Sequence, residues 1–227
     1  MLSLKLGLSL NTIKPYGEWT PYGDANLVAW YKNKTGVILN GSDVSSWRDS
    51  STNSHDMVQA TATEQPAYDA STGTLTFVPA DSNNLQTTSQ ISLTGAFTIG
   101  MKINMLAAGG VPLADNTTVG EFIKYTTSSQ MRIKIDNSQI DITLNGGNTF
   151  GDDFLVITRD ASNKITLYLD GEAQTDTETL SGTADIDAIG VRRTDTNPFN
   201  GKIQEIQIYS TTNATLTANV NDYLENL

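Results

Sequence analysis

The sequence predicts an all-β protein, a two-sheet antiparallel sandwich with jelly-roll-like strand order, preceded by an extended N-terminal arm and closed by one short C-terminal helix. Three observations carry this prediction. Short runs of alternating apolar and polar residues recur from Ala25 onward, clusters of Gly, Asn, Asp and Ser separate them, and only the closing segment places its apolar residues at helical spacing. Strict alternation puts one face of a strand against a core and the other in water, as antiparallel sheets allow.

The arm comes first. Leu2, Leu4, Leu6, Leu8 and Leu10 fall on one side of an extended chain, with Ser3, Lys5, Gly7 and Ser9 on the other. Pro15-Tyr16-Gly17-Glu18 and Pro21-Tyr22-Gly23-Asp24 then form a near-repeat around Trp19, where Pro and Gly oppose regular structure. The chain therefore divides into an arm and linker, residues 1–24, and a sandwich domain, residues 25–227.

Within the domain, strands are expected at Leu27 to Tyr31, Thr74 to Phe77, Phe97 to Ile103, Met131 to Ile135, Ile140 to Leu144, Phe154 to Thr158, Ile165 to Leu169 and Ile203 to Tyr209. Asn137-Ser138-Gln139 is expected to turn one hairpin, and Asp170-Gly171 another, because Gly accepts the positive φ of a tight turn. Near the end the parity slips: Ile203 falls on the opposite face from Ile206 and Ile208, which predicts either a bulge or a strand buried on both sides. Leu216, Val220, Tyr223, Leu224 and Leu227 mark the helix.

Composition narrows the function. The 227 residues, 38% of them apolar, suffice for one well-buried core. A formal charge of −11 repels phosphate backbones and anionic lipid, so neither nucleic acid nor membrane is an expected partner. There is no cysteine for a disulfide, a thiolate nucleophile or a Cys-ligated zinc. No segment approaches the ~20 apolar residues of a membrane span, and MLSLKLGLSL, with Ser, Lys or Gly between its leucines, does not read as a signal peptide.

Catalytic patterns are equally sparse, and no enzyme is expected. Asp152-Asp153 point to opposite faces if they lie in a strand, and Asp185 and Asp187 share a face but read as a loop entry. His55, the single histidine, has no glycine-flanked serine to serve and is expected on a loop surface. Trp30 and Trp47 read as core. Tyr125, Tyr168 and the loop Asp115 to Thr118 are the candidates for an exposed sugar-binding face, and Arg192-Arg193 reads as a strand-end pair.

The order of pieces in the last third adds more. A strand ending in Thr158-Arg159-Asp160, a short turn, a strand running into Asp170-Gly171, and Asn197-Pro198-Phe199-Asn200-Gly201 before a final strand ending in Ile208-Tyr209 resemble the laminin-G-like branch of the concanavalin A-like lectin/glucanase superfamily. Leu27 to Asn33, Val44 to Ala60, Thr74 to Thr87 and Ile91 to Ile103 are similar to its earlier segments. By this resemblance the loop Trp47 to Asp56 stands where some members hold calcium. Asp49, Asn53 and Asp56 would be oxygen ligands and Glu205 an acid from the last strand. Thr52 and Ser54 replace the family's glycines there, Gln204 stands where an acid pair is common, and the competing reading has Asp49 and Asp56 capping turns. Cofactors are thus none, or structural calcium.

Similar short chains occur among structural proteins of marine phages. The resemblance, the arm and the missing catalytic set together predict a non-enzymatic structural or attachment protein of a larger assembly, a phage virion, docked on other particle proteins through Leu2, Leu4, Leu6, Leu8 and Leu10. The alternative is a carbohydrate-binding module or lectin at a cell surface, calcium-dependent or not. On the first reading the protein is an oligomer or assembly component on the virion; on the second it is extracellular with a glycan as partner.

Overall fold

A computed structural model describes residues 19–117, 123–147, 151–191 and 197–227. The arm leucines and Arg192-Arg193 lie outside these residues. The first strands are β1 (Leu27–Tyr31), β2 (Val37–Asn40), β3 (Asp43–Trp47), β4 (Met57–Val58), β5 (Ala67–Asp69) and β6 (Thr74–Phe77). There follow β7 (Leu85–Leu93), β8 (Phe97–Met105), β9 (Leu113–Ala114), β10 (Ile123–Thr127), β11 (Gln130–Ile135) and β12 (Ser138–Thr143). The last third holds β13 (Asp152–Arg159), β14 (Lys164–Leu169), β15 (Glu172–Ala173), β16 (Glu178–Thr179), β17 (Ala184–Ile189), β18 (Gly201–Tyr209) and the helix α1 (Ala214–Glu225).

Every pairing is antiparallel. One layer runs β1-β18-β8-β13-β14, and the other β2-β3-β4-β7-β17-β9-β10-β11-β12; β5 and β6 join them at one edge, β6 pairing with β18 and β5 with β3. All eight strands expected from alternation are present. The first hairpin turns one residue earlier than its sequence suggests, because Asp136 takes the left-handed conformation (φ 51°) and Ile135 pairs directly with Ser138. The second turns where expected: Asp170 (φ 50°) and Gly171 (φ 78°) form a two-residue loop that brings Leu169 opposite Glu172.

Register explains the core. Ile208, Ile99, Ile157 and Leu167 lie opposite one another across β18, β8, β13 and β14, and Ile206, Met101, Leu155 and Leu169 form the next row. These rows meet Trp47, Ile91, Leu93, Ile133, Ile142 and Ile186 of the facing layer in one apolar cluster. Trp47 and Trp30 are both buried, as expected.

The slip in β18 is a bulge between Ile203 and Glu205, and both alternatives hold at once, since the strand beyond it is buried on its two faces. The bulge keeps Ile203, Ile206 and Ile208 in the core and turns Glu205, Gln207 and Tyr209 outward. They are covered there because α1 lies across the outer face of β8 and β13, with Leu216, Val220 and Leu224 packed on Val156, Phe154 and Tyr209. Burying three such side chains contributes about 1.5–3 kcal/mol each. Asn213 caps the helix, accepting Leu216 N–H at 2.9 Å.

Two family-like motifs acquire physical reasons. The Arg159 guanidinium is wholly buried, donates to the carbonyls of Leu93, Gly95 and Gly182, and lies 4.8 Å from the Phe97 ring centre, so it pins the β7–β8 turn to the loop before β17. Phe199 is buried against Phe77 at 5.7 Å, and its N–H donates to Gly190 O, which anchors the approach to β18.

Candidate functional site

Along the outer face of the first layer one register row reads Trp30, Gln207, Gly100, Val156, Tyr168. It crosses three environments: a buried polar network at the Trp30 end, the helix seat at Gly100, and an open groove at the Tyr168 end.

The groove, of about 480 Å³, lies between α1 and the β14–β15 hairpin. Its helical wall is Ala214, Thr217, Ala218, Asn221, Asp222 and Glu225, a 3-and-4-spaced stripe beside the stripe that packs on the sheet. The two alanines leave room, and the rest bring hydrogen-bonding groups. Phe154 and Tyr168 form the floor; Asp170, Gly171 and Glu172 form the opposite wall. Phe154 is nearly buried, while Tyr168 is half-buried and offers part of its ring. Asp170 is fixed by Phe154 N–H, which donates to its Oδ1 at 3.0 Å. Asn221 donates from Nδ2 to Thr217 O, leaving Oδ1 without a protein partner. An aromatic floor ringed by polar groups suits a ligand with one apolar face and many hydroxyls.

Beneath the other flank of α1, Glu205 is fully buried. Its carboxylate accepts Trp30 Nε1–H at 2.7 Å, Asn33 N–H at 3.0 Å, Gln207 Nε2–H at 2.9 Å and the Tyr223 hydroxyl, while Tyr209 donates to Gln207 Oε1. Burial raises its pKa, and those four donors oppose the rise without cancelling it. Trp19, read in sequence as linker, packs here on Tyr209 and Tyr223.

The structure brings Asp49, Asn53 and Asp56 into one loop but places Glu205 in this separate network. Asp49 Oδ1 accepts the N–H groups of Trp30 and Ser51, and its Oδ2 accepts Ser51 Oγ–H and His55 N–H. Asp56 accepts Asp49 N–H, and Asn53 donates its amide to the carbonyls of Leu27 and Val28. The loop is thus a knot of turn-capping bonds. Among the described residues no group of three or more His, Cys, Asp or Glu is placed to hold a metal ion. His55 is half-buried, with Nδ1 2.7 Å from Ser89 O, and so it ties its loop to β7.

Other candidates sort as follows. Tyr125 is fully buried, so Tyr168 alone of the two tyrosines borders open space. Asp115, expected on an exposed face, is buried and accepts Thr117 N–H. Asp185 and Asp187 lie inside β17 instead of at a loop entry; Asp187 is buried, its pKa is raised mainly by desolvation, and it accepts Asn116 N–H and Thr117 Oγ–H. Asp153 is buried and Asp152 exposed, as adjacency on a strand requires. The helical half of the groove escaped sequence reasoning, although Thr217, Asn221 and Asp222 form a polar stripe visible in the heptad pattern.

No curated protein sequence matches the chain. Solved structures do match. The binding domain of Paraclostridial Mosquitocidal Protein 1 superposes with a TM-score of 0.56 at 15% identity, over 87% of this chain and 52% of that one. The binding domain of botulinum neurotoxin DC, solved in complex with SialylT, gives 0.53 at 13% identity, over 88% and 52%. A Trypanosoma rangeli sialidase, solved with a difluoro-nononic acid, gives 0.52 at 11%, over 89% and 33%. The chain thus spans about half of the toxin binding domains and a third of the sialidase, and at these identities the likeness is one of fold. A family model described as the concanavalin A-like lectin/glucanases superfamily matches residues 79–218, more than half of the sequence, and the chain belongs to that superfamily.

Proposed function

We propose that the chain is a non-enzymatic, lectin-like carbohydrate-binding module and that the groove between α1 and the β14–β15 hairpin is its glycan site. The observation that carries the reading is the half-buried Tyr168 ring on the floor of an open groove of about 480 Å³ framed by Thr217, Asn221 and carboxylates. A pyranose presents a C–H face to stack on such a ring and hydroxyls for the polar rim. The botulinum neurotoxin DC binding domain, solved in complex with SialylT, and the sialidase, solved with a nononic acid, support the reading by fold.

Hydrolysis is disfavoured by environment. A glycosidase acid needs a carboxyl whose pKa burial has raised. The groove acids, Asp170, Glu172, Asp222 and Glu225, are all exposed; the buried acids with raised pKa values, Glu205 and Asp187, do not line the groove. Glycan-array binding of the full chain, followed by titration with the best ligand, tests the proposal. Tyr168→Ala should weaken binding at least tenfold with the circular dichroism unchanged, and equal affinity in the variant would remove the site.

The leucine alternation of the arm favours a second, compatible role as an attachment component of a virion or other particle, with the arm held by a particle protein and the groove facing outward. Deleting Met1 to Asn11 should then abolish incorporation into particles while leaving the sandwich folded.

A further inference from the structure

We infer that the groove selects sugars without negative charge and rejects sialylated, sulfated or uronic-acid glycans; this rests on the glycan-binding reading above and narrows it. Carboxylates stand on both walls, Asp170 and Glu172 on the hairpin and Asp222 and Glu225 on the helix, and among the described residues no Lys, Arg or His lines the groove. The nearby Lys102 is not among the lining residues; its Nζ lies over the Phe154 ring, 5.3 Å from the centroid.

Two of these acids stand where helix physics disfavours them. Asp222 and Glu225 occupy the C-terminal part of α1, where the macrodipole is negative, and the last turn has no basic residue to offset them. A local rule broken on the surface that faces a cavity points to selection by the ligand.

A carboxylate or sulfate on the ligand would enter this site with four like charges around it and no cation among the described lining residues, on a protein already at −11. A neutral hexose gives the same acids hydroxyl donors to accept. The fold therefore matches that of domains solved with SialylT or with a nononic acid, and the wall charges invert the ligand class.

The experiment titrates the full chain, at low and physiological salt, with neutral oligosaccharides chosen from the array and with the same cores carrying a terminal sialic acid. The neutral form should bind at least tenfold more tightly, equivalent to about 1.4 kcal/mol, and the ratio should shrink with salt. In the double variant Glu172→Lys, Asp222→Lys, whose two positions are exposed, the preference should vanish or reverse. Sialylated cores bound as tightly as neutral ones, with both lost in Tyr168→Ala, would overturn the charge selection and leave the glycan site standing. Binding of no glycan on the array would overturn both.

Discussion

Gly100 sits directly under Val220: a Cβ on the glycine would lie 2.5 Å from Val220 Cγ1 and 3.1 Å from Leu224 Cδ1. The missing side chain lets α1 lie flat on β8, and the flat helix forms one wall of the groove. Gly100→Ala should therefore cost about 1–3 kcal/mol by overpacking, seen as a lower denaturation midpoint, and it should weaken glycan binding with no lining residue changed. Val220→Ala in the same background should recover part of the loss, because the two positions are coupled through one contact.

Legibility followed burial. Gln130 to Ile135 alternate cleanly because one face meets the core and the other does not, and Phe97 to Met105 keep large apolar residues on the core face alone although α1 covers part of the other. Leu85–Leu93 and Ala184–Ile189 are strands that alternation misses. The middle of the former is exposed, and the latter is buried nearly throughout although it carries Asp185 and Asp187. The slip at Ile203 was visible, but its purpose was not. Only the docked helix shows why Glu205, Gln207 and Tyr209 need a buried outer face. The groove was half legible: the Asp170-Gly171 turn and Tyr168 stood out, whereas their juxtaposition with α1 is a long-range contact that no local pattern encodes.

The Asp49 loop makes a contrast between a ligand set and a hydrogen-bonded knot. Four N–H and O–H groups from Trp30, Ser51 and His55 fill the carboxylate, and a calcium ion would have to displace some of them. Adding millimolar calcium or EDTA should leave the melting temperature unchanged. Asp49→Ala, which strands those donors, should cost about 1–3 kcal/mol. A calcium-dependent rise in melting temperature would instead reveal a binding site.

Arg159 shows how a motif can be structural. Its planar fork reaches the carbonyls of Leu93, Gly95 and Gly182 together, a geometry that an ammonium cannot copy. Arg159→Lys and Arg159→Met should both destabilise by about 2–4 kcal/mol, with the Lys variant offering little rescue. Full stability of Arg159→Lys would show that charge, and not the fork, holds the two loops.

Glu205 gives the chain a pH dependence of opposite sign to that of its surface acids. Its folded pKa is raised above the ordinary 4.5 by burial, so between that value and the raised one the folded state binds more protons than the unfolded state, and stability falls as pH rises through this window. Asp69, held down to about 2 by Ser71 and Thr72, and Asp141, held down by Arg132, act the other way, and their contribution is lost on acidification. These surface terms are common to wild type and Glu205→Gln and cancel in the difference. The stability of wild type minus that of Glu205→Gln should therefore increase as pH is lowered from neutrality through the raised pKa and level off below the ordinary value of 4.5. A difference independent of pH would mean that Trp30, Asn33, Gln207 and Tyr223 fully offset the burial of the charge. One that decreases on acidification would mean that they hold the carboxylate below its ordinary pKa, making the network a stabilising anion site instead of a tolerated one.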